Sequence, residues 1–187
     1  MRSPASSLLI AAALLVSSSA LALPKVGDPA PDFTAQDETG ATVSLAQFKG
    51  LPVVLYSYPR DDTPGCTREA IAFSQEKDRL QTLGAVVLGI SAQDAESHKA
   101  FKVKHNLNFP LLVDPDTKVM QAYGFWNGRN ASRHTVLIGP DGKVAAVWEN
   151  VKVDGHDDEV IAVIEKIMAE LKPKTPPPAA VKGKNKK

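Results

Sequence analysis

Apolar positions along this chain change their period several times, and each change marks an element. Val53, Val54, Leu55, Tyr56 and Tyr58 make a near-continuous apolar run within Pro52 to Tyr58, the pattern of a strand buried on both faces beneath helices. Ala70, Phe73, Leu80 and Leu83 then recur at helical spacing, which predicts one long helix ending at Gly84, a residue suited to the left-handed position past a helix end. A strand over Val86 to Ser91 precedes a helix over Ala95 to His105 that Asp94 can cap. A short strand over Leu111 to Asp114, a short helix over Lys118 to Tyr123 and a strand over His134 to Ile138 follow. Pro140-Asp141-Gly142-Lys143 is a hairpin turn into a strand over Val144 to Trp148. The last helix places Val160, Ile161, Ile164, Ile167, Met168 and Leu171 on one face, with Asp157 or Asp158 as its expected N-cap.

Upstream, Gly27-Asp28, Pro29, Pro31, Gly40 and Gly50 punctuate two short strands near Asp32 to Ala35 and Thr42 to Ser44, which read as an N-terminal hairpin. A parallel strand-helix-strand start, a later antiparallel hairpin and a closing helix give an α/β class. The expected architecture is a thioredoxin-like three-layer α/β/α fold with a central mixed sheet and an N-terminal hairpin. In such open sheets, sites lie beyond the carboxyl ends of strands, which directs attention to the loop after Tyr58.

The two ends of the chain differ from the body. Arg2, an apolar run over Leu8 to Val16 and Ala20-Leu21-Ala22 have the layout of a secretory leader over residues 1–22, with Leu23 as the expected first residue of the processed protein. The run is too short for an ordinary membrane span. The expected destination is across the inner membrane, in the periplasm. Residues 172–187 are rich in proline and then lysine, and read as a disordered tail. From Leu23 to Leu171 there are 15 basic and 21 acidic residues, a net of −6, so the folded domain over residues 23–171 is acidic and the tail basic. No nucleic-acid partner is expected of the body; the tail is suited to anionic surfaces.

Composition adds one decisive fact. The chain has 187 residues, enough for a full core, and one cysteine, Cys66, so no internal disulfide or cysteine-rich zinc site is available. His98, His105, His134 and His156 show no metal-ligand spacing and read as surface or helix-end residues; no metal or other cofactor is implied. Cys66 lies in Pro59-Arg-Asp-Asp-Thr-Pro-Gly-Cys-Thr-Arg-Glu69, where Pro64-Gly65 makes a tight turn into a helix. A thiol at a helix N-terminus or beside cations ionises more readily than a free one. Arg60 and Arg68 are near in sequence, and Asp61 and Asp62, which would oppose ionisation, are expected to face solvent.

Ionisation alone is insufficient, because going from a few per cent to full thiolate at pH 7 gains only about 30-fold, or roughly 2 kcal/mol. Enzymes commonly exceed about a million-fold. For attack on an O–O bond the remainder must come from donors near both oxygens, since charge moves from sulfur to the leaving oxygen. Thr63 offers a hydroxyl that both donates and accepts, Pro59 can keep water from the sulfur, and a distant arginine would complete the site.

Pro59, Thr63 and Cys66 reproduce the Pro-x-x-x-Thr-x-x-Cys motif of the peroxiredoxins, and the wider run resembles their Q-type branch, the bacterioferritin comigratory proteins. The likeness runs from about Val26 to Leu171 and takes in Phe109-Pro110-Leu111-Leu112, Asp114, Tyr123-Gly124 and Arg133. It implies that Cys66 is the peroxidatic cysteine, that Thr63 and Arg133 bind peroxide and activate the thiolate, and that Pro59 shields the site. Oxidation would leave a sulfenic acid. Many Q-type members carry a resolving cysteine five residues on; here that position is Ile71. The resemblance therefore implies a one-cysteine peroxidase of hydrogen peroxide and organic hydroperoxides, working as a monomer or weak dimer. Its sulfenic acid is reduced by an external thiol, a thioredoxin-like protein or a small molecule.

Two other readings compete. A thiol-disulfide oxidoreductase shares the fold but uses Cys-x-x-Cys, and positions 63 and 69 hold Thr and Glu. A redox-sensing binding module would rely on the basic tail. Phe125 and Trp126 either wall the pocket or pack ordinarily, and Asn130-Ala131-Ser132 is a glycosylation sequon relevant only in a eukaryotic secretory pathway.

Overall fold

The expected hairpin near the amino end is present, with its first strand two residues later than its sequence signal: Thr34–Asp37 (β1) pairs antiparallel with Thr42–Ser44 (β2). The Asp37 carboxylate closes the turn by accepting from the Thr39 N–H and hydroxyl and from the Ala41 N–H. The computed structural model describes residues 22–171. All of the expected leader but its last residue, and the whole expected tail, lie outside the described residues.

Val53–Ser57 (β3) is buried at every position, as its unbroken apolar run requires. The single long helix expected after the loop is two: Pro64–Gln75 (α1) and Lys77–Thr82 (α2). Glu76 separates them, with ψ of 12° where a helix needs about −42°. Phe73 and Leu80 reach the same core from either side of the break, so the apolar spacing is that of one helix and carries no sign of it. Gly84 does take the left-handed conformation past the end of α2.

Val86–Ser91 (β4) and Ala95–His105 (α3) match their sequence signals, and the Asp94 side chain caps α3 by accepting from Ser97 N–H at 2.9 Å. Leu111–Val113 (β5), Lys118–Ala122 (α4), His134–Ile138 (β6) and Val144–Trp148 (β7) follow. The closing helix, His156–Leu171 (α5), starts earlier than its acids suggested. Asp157 and Asp158 lie inside its first turn, where their charge complements the helix dipole, and neither is the N-cap.

The strands form one mixed sheet in the order β2-β1-β5-β4-β3-β6-β7. β3-β4 and β4-β5 are parallel; β3-β6 and β6-β7 are antiparallel. Alternation along β3 divides the core in two. Val54 and Tyr56 face a cluster with Phe73 of α1, Phe101 of α3 and Ile161 and Ile164 of α5, whereas Val53 and Leu55 face Met120 of α4, Tyr123 and Phe125. This is the expected three-layer arrangement, with α4 and loops making the thinner layer. Phe125 is wholly buried in that layer, away from the cluster holding Cys66, so it is core and not a pocket wall.

The antiparallel β3-β6 pairing has one consequence for function. It sets Ser57, at the carboxyl end of β3, opposite His134, at the amino end of β6. The loop leaving β3 and the residues entering β6 are thereby brought to one edge of the sheet.

Candidate active site

Thr63, in extended conformation, is the N-cap residue of α1, and Pro64 fills the first helical position, where a missing N–H costs nothing. The first helical backbone bond runs from Thr67 N–H to the Thr63 carbonyl. The N–H groups of Gly65 and Cys66 therefore have no acceptor within the helix and stay available to an anion near the sulfur. Cys66 itself is 1% exposed.

Arg133 stands beside it. Its Nη2 donates to Cys66 Sγ at 3.1 Å, across 67 positions of sequence, while Nη1 donates to the Glu69 carboxylate. Three contacts hold the backbone that carries it: Ser57 Oγ donates to the Ser132 carbonyl at 2.6 Å, Val151 N–H donates to the Arg133 carbonyl at 3.0 Å, and Ser57 pairs with His134. Gly65 makes room for the guanidinium, since a Cβ there would sit 3.2 Å from Nη2. Gly65→Ala should improve helix propensity by up to about 1 kcal/mol yet displace Arg133, which Glu69 and Cys66 already pin. We expect a several-fold slower oxidation of the Cys66 thiol with no loss in melting temperature; an unchanged rate would show that Arg133 has slack.

Sequence reasoning missed Glu69. Its signal was present: Cys66, Glu69, Ala70 and Phe73 are the buried stripe of α1, and an acid in such a stripe needs a partner. Glu69 is 1% exposed, and its Oε1 has no hydrogen-bond partner. Burial raises its carboxyl from the ordinary 4.5 to about 7, outweighing the attraction of Arg133. Between those values the folded chain holds a proton that the unfolded chain has released. Stability therefore falls as pH rises from about 4.5 through 7, and the full penalty is present above that. Glu69→Gln, which still offers Arg133 an oxygen, should remove this slope. Urea unfolding at pH 5 and pH 8 tests it: the variant should gain on wild type only at the higher pH, and an equal gain at both would refute the assignment.

The other expected residues are placed as follows. Thr63 is half-buried and its hydroxyl donates to the Arg60 carbonyl at 2.9 Å, so its proton is committed and its lone pairs remain to accept. Pro59 is exposed at the mouth of the loop, two residues past β3. Neither Arg60 nor Arg68 contributes the cation at the sulfur. Arg60 is exposed, and Arg68 faces Asp154 at 3.7 Å on the surface. Ile71 is half-buried against the same core as Cys66.

Two expectations are corrected. Asp62 is open to solvent, but Asp61 is buried, because Tyr58, Ser97 and His98 donate to its carboxylate. Burial opposes its charge, and the hydrogen bonds, that from His98 foremost, prevail and hold the carboxyl below its ordinary value. Of the histidines, His105 and His156 stand at helix ends as expected, at the close of α3 and the start of α5, whereas His98 and His134 are neither surface nor helix-end residues. His98, His134 and His156 are buried, each among aromatic rings. Burial lowers the values of His134 and His156 and keeps both rings neutral at pH 7. Among the described residues no group of three or more such side chains is arranged to hold a metal.

Comparison with known proteins shows which family the chain resembles. The AhpC/TSA family model matches residues 26–147. A Coxiella burnetii protein carrying the peroxiredoxin Bcp name is 45% identical over 145 residues, covering 73% of this chain and 96% of its own. Peroxiredoxin Bcp of Bacillus subtilis is 38% identical over 149 residues, covering 75% of this chain and 95% of its own. Among solved structures, Xanthomonas campestris peroxiredoxin Q superposes with a TM-score of 0.71 at 31% identity, over 79% of this chain and 99% of that one. Another structure of the Xanthomonas protein was determined to explain its alkyl peroxide reduction. Serine variants of the Xanthomonas protein at two different cysteines are also among the solved structures, whereas the present chain has one cysteine.

Proposed function

The chain belongs to the AhpC/TSA family, in its peroxiredoxin Q branch, and from that premise we propose that Cys66 is the peroxidatic cysteine, with Arg133, Thr63 and Pro59 completing its site. As a member it is a thiol-dependent peroxidase, taking a peroxide as substrate and a thiol as reductant. The observation that carries the residue assignment is the 3.1 Å contact of Arg133 Nη2 with Cys66 Sγ.

The chemistry follows from that contact. The Cys66 thiolate attacks one peroxide oxygen, an S–O bond forms and the O–O bond breaks. Sulfur loses two electrons, and the leaving oxygen takes them and a proton to become water or an alcohol. Negative charge moves from Sγ to that oxygen, so a donor set around sulfur can follow it: Arg133 Nη2 and the free N–H groups at the start of α1. The Thr63 oxygen can accept from the hydroperoxide O–H and orient it. Pro59, at the mouth of the loop, limits the approach of water.

With no second cysteine, the sulfenic acid is resolved by external thiols. The first attacks sulfur to give a mixed disulfide and water, and a second releases Cys66. The enclosure of Cys66 favours a small thiol, or a thioredoxin-like protein able to insert a thin edge, and the substrate range spans hydrogen peroxide and organic hydroperoxides. A monomer or weak dimer suits such a site, which one chain completes by itself. The leader pattern supports export to the periplasm, with residues 23–171 as the enzyme and the basic tail contacting anionic surfaces. The test is direct: the reduced protein, given one equivalent of peroxide and dimedone, should gain one adduct, mapped to the peptide holding Cys66. An adduct elsewhere, or none, would sink the assignment.

A further inference from the structure

Asp61 and Asp62 belong to the loop between β3 and α1, and both are held by α3. The Asp61 carboxylate accepts from Tyr58 Oη at 2.8 Å, Ser97 Oγ at 2.7 Å and His98 Nδ1 at 2.8 Å, and its backbone N–H donates to Gln93 Oε1. His98 is wholly buried, and its Nε2 faces the Leu112 carbonyl at 3.2 Å. Both ring nitrogens thus face acceptors, and the ring links the loop to the backbone of β5. At the other end of α3, Lys104 Nζ and His105 Nε2 donate to Asp62 at 3.0 and 2.7 Å. Asp62 is in the left-handed region at φ 57°, a conformation that a non-glycine residue keeps only when its surroundings hold it.

We propose that His98 is a positioning residue of the peroxidase reaction, acting through Asp61 to fix the loop that carries Thr63 and starts the helix of Cys66. The bonds of Tyr58 and His98 to Asp61 lie in the interior, where each is stronger than in water and where losing one partner leaves the other stranded. Asp61 is two residues from Thr63 and five from Cys66. Freedom at Asp61 therefore becomes a displaced N-cap and a misdirected sulfur, and a shift of about 1 Å at such a site costs up to about a hundredfold in rate. The same clamp keeps Cys66 enclosed, so it also restricts which thiols can reach the oxidised sulfur. This inference rests on Cys66 being the peroxidatic group.

The test is a double-variant cycle read by stopped-flow oxidation of Cys66 with peroxide. His98→Asn and Asp61→Asn should each slow oxidation about tenfold or more, and the double variant should be no slower than the worse single one, because both remove the same link. A bulky maleimide should label reduced Cys66 faster in each. Ser97→Ala takes one donor from Asp61 and should give a smaller slowing, which keeps the test alive if His98→Asn does not fold. Leu88→Val, in the core on the opposite face of the sheet, should lower the melting temperature without either effect. Wild-type rates and labelling in the His98 and Asp61 variants, losses that multiply, or a slowing in Leu88→Val matched to its loss of stability would each overturn the proposal. Absence of oxidation at Cys66 in wild type would instead overturn the peroxidase assignment on which it rests.

Discussion

Cys66→Ser is expected to abolish peroxide turnover, leaving only the background reaction of the assay thiol. A serine hydroxyl keeps the size and the neighbours of the thiol, so the fold and the Arg133 contact survive. It does not ionise near neutral pH, however, and oxygen is a poor nucleophile toward a peroxide oxygen. No second thiol exists in the chain to take over. The loss should therefore equal the whole enzymatic acceleration, about a million-fold on ordinary scales. Peroxide consumption with excess dithiothreitol measures it, beside a melting curve to show that the variant is folded. Turnover by folded Cys66→Ser at any appreciable fraction of the wild-type rate would mean that the chemistry lies elsewhere.

Arg133→Ala is expected to cost about a hundred- to a thousandfold in the rate of peroxide reduction, the usual consequence of removing a donor aimed at developing charge. It should also lower stability, because Glu69 stays buried without its partner. That part is moderated by Glu69's capacity to hold a proton: with Arg133 gone, the attraction that holds its carboxyl down to about 7 is lost and the proton stays on to higher pH, so the loss should deepen as pH rises above about 7. The two effects separate in the double variant Arg133→Ala, Glu69→Gln, which should recover stability and not rate. Arg133→Lys should recover little of the rate, since a single ammonium cannot meet Sγ and the carboxylate together as the guanidinium fork does. If Arg133→Ala reacts at the wild-type rate, the 3.1 Å contact has no part in catalysis.

Ordinary patterning made most of the fold legible. The continuous apolar run of β3, the Asp94 cap and the Pro140 to Lys143 turn are local features, and the elements they predict match closely. The misreadings share one cause. The break at Glu76 leaves the apolar period intact, and the acids at the start of α5 suit a first turn as well as a cap. In both places two backbone paths serve the same side-chain pattern.

For the site the division is sharper. Thr63, Pro64, Gly65 and Cys66 are consecutive, so their helix-start chemistry is written in their order. The single cysteine, with Ile71 five residues on, settles by composition alone that no disulfide can form within this chain. Arg133 was legible by resemblance to a family and not from its own surroundings. Asp61 and His98 were read as surface or helix-end residues, and Glu69 went unread although it shares the helical stripe of Cys66, Ala70 and Phe73. What buries them is the register of β3 against β6 and the seat of α3 on the sheet, which join residues 64 and 37 positions apart. The sequence by itself determined where the one cysteine would start a helix and that no second cysteine of this chain could pair with it. Only the tertiary structure decided which charges would share its interior, because ion pairing across a sheet depends on contacts that no local pattern specifies.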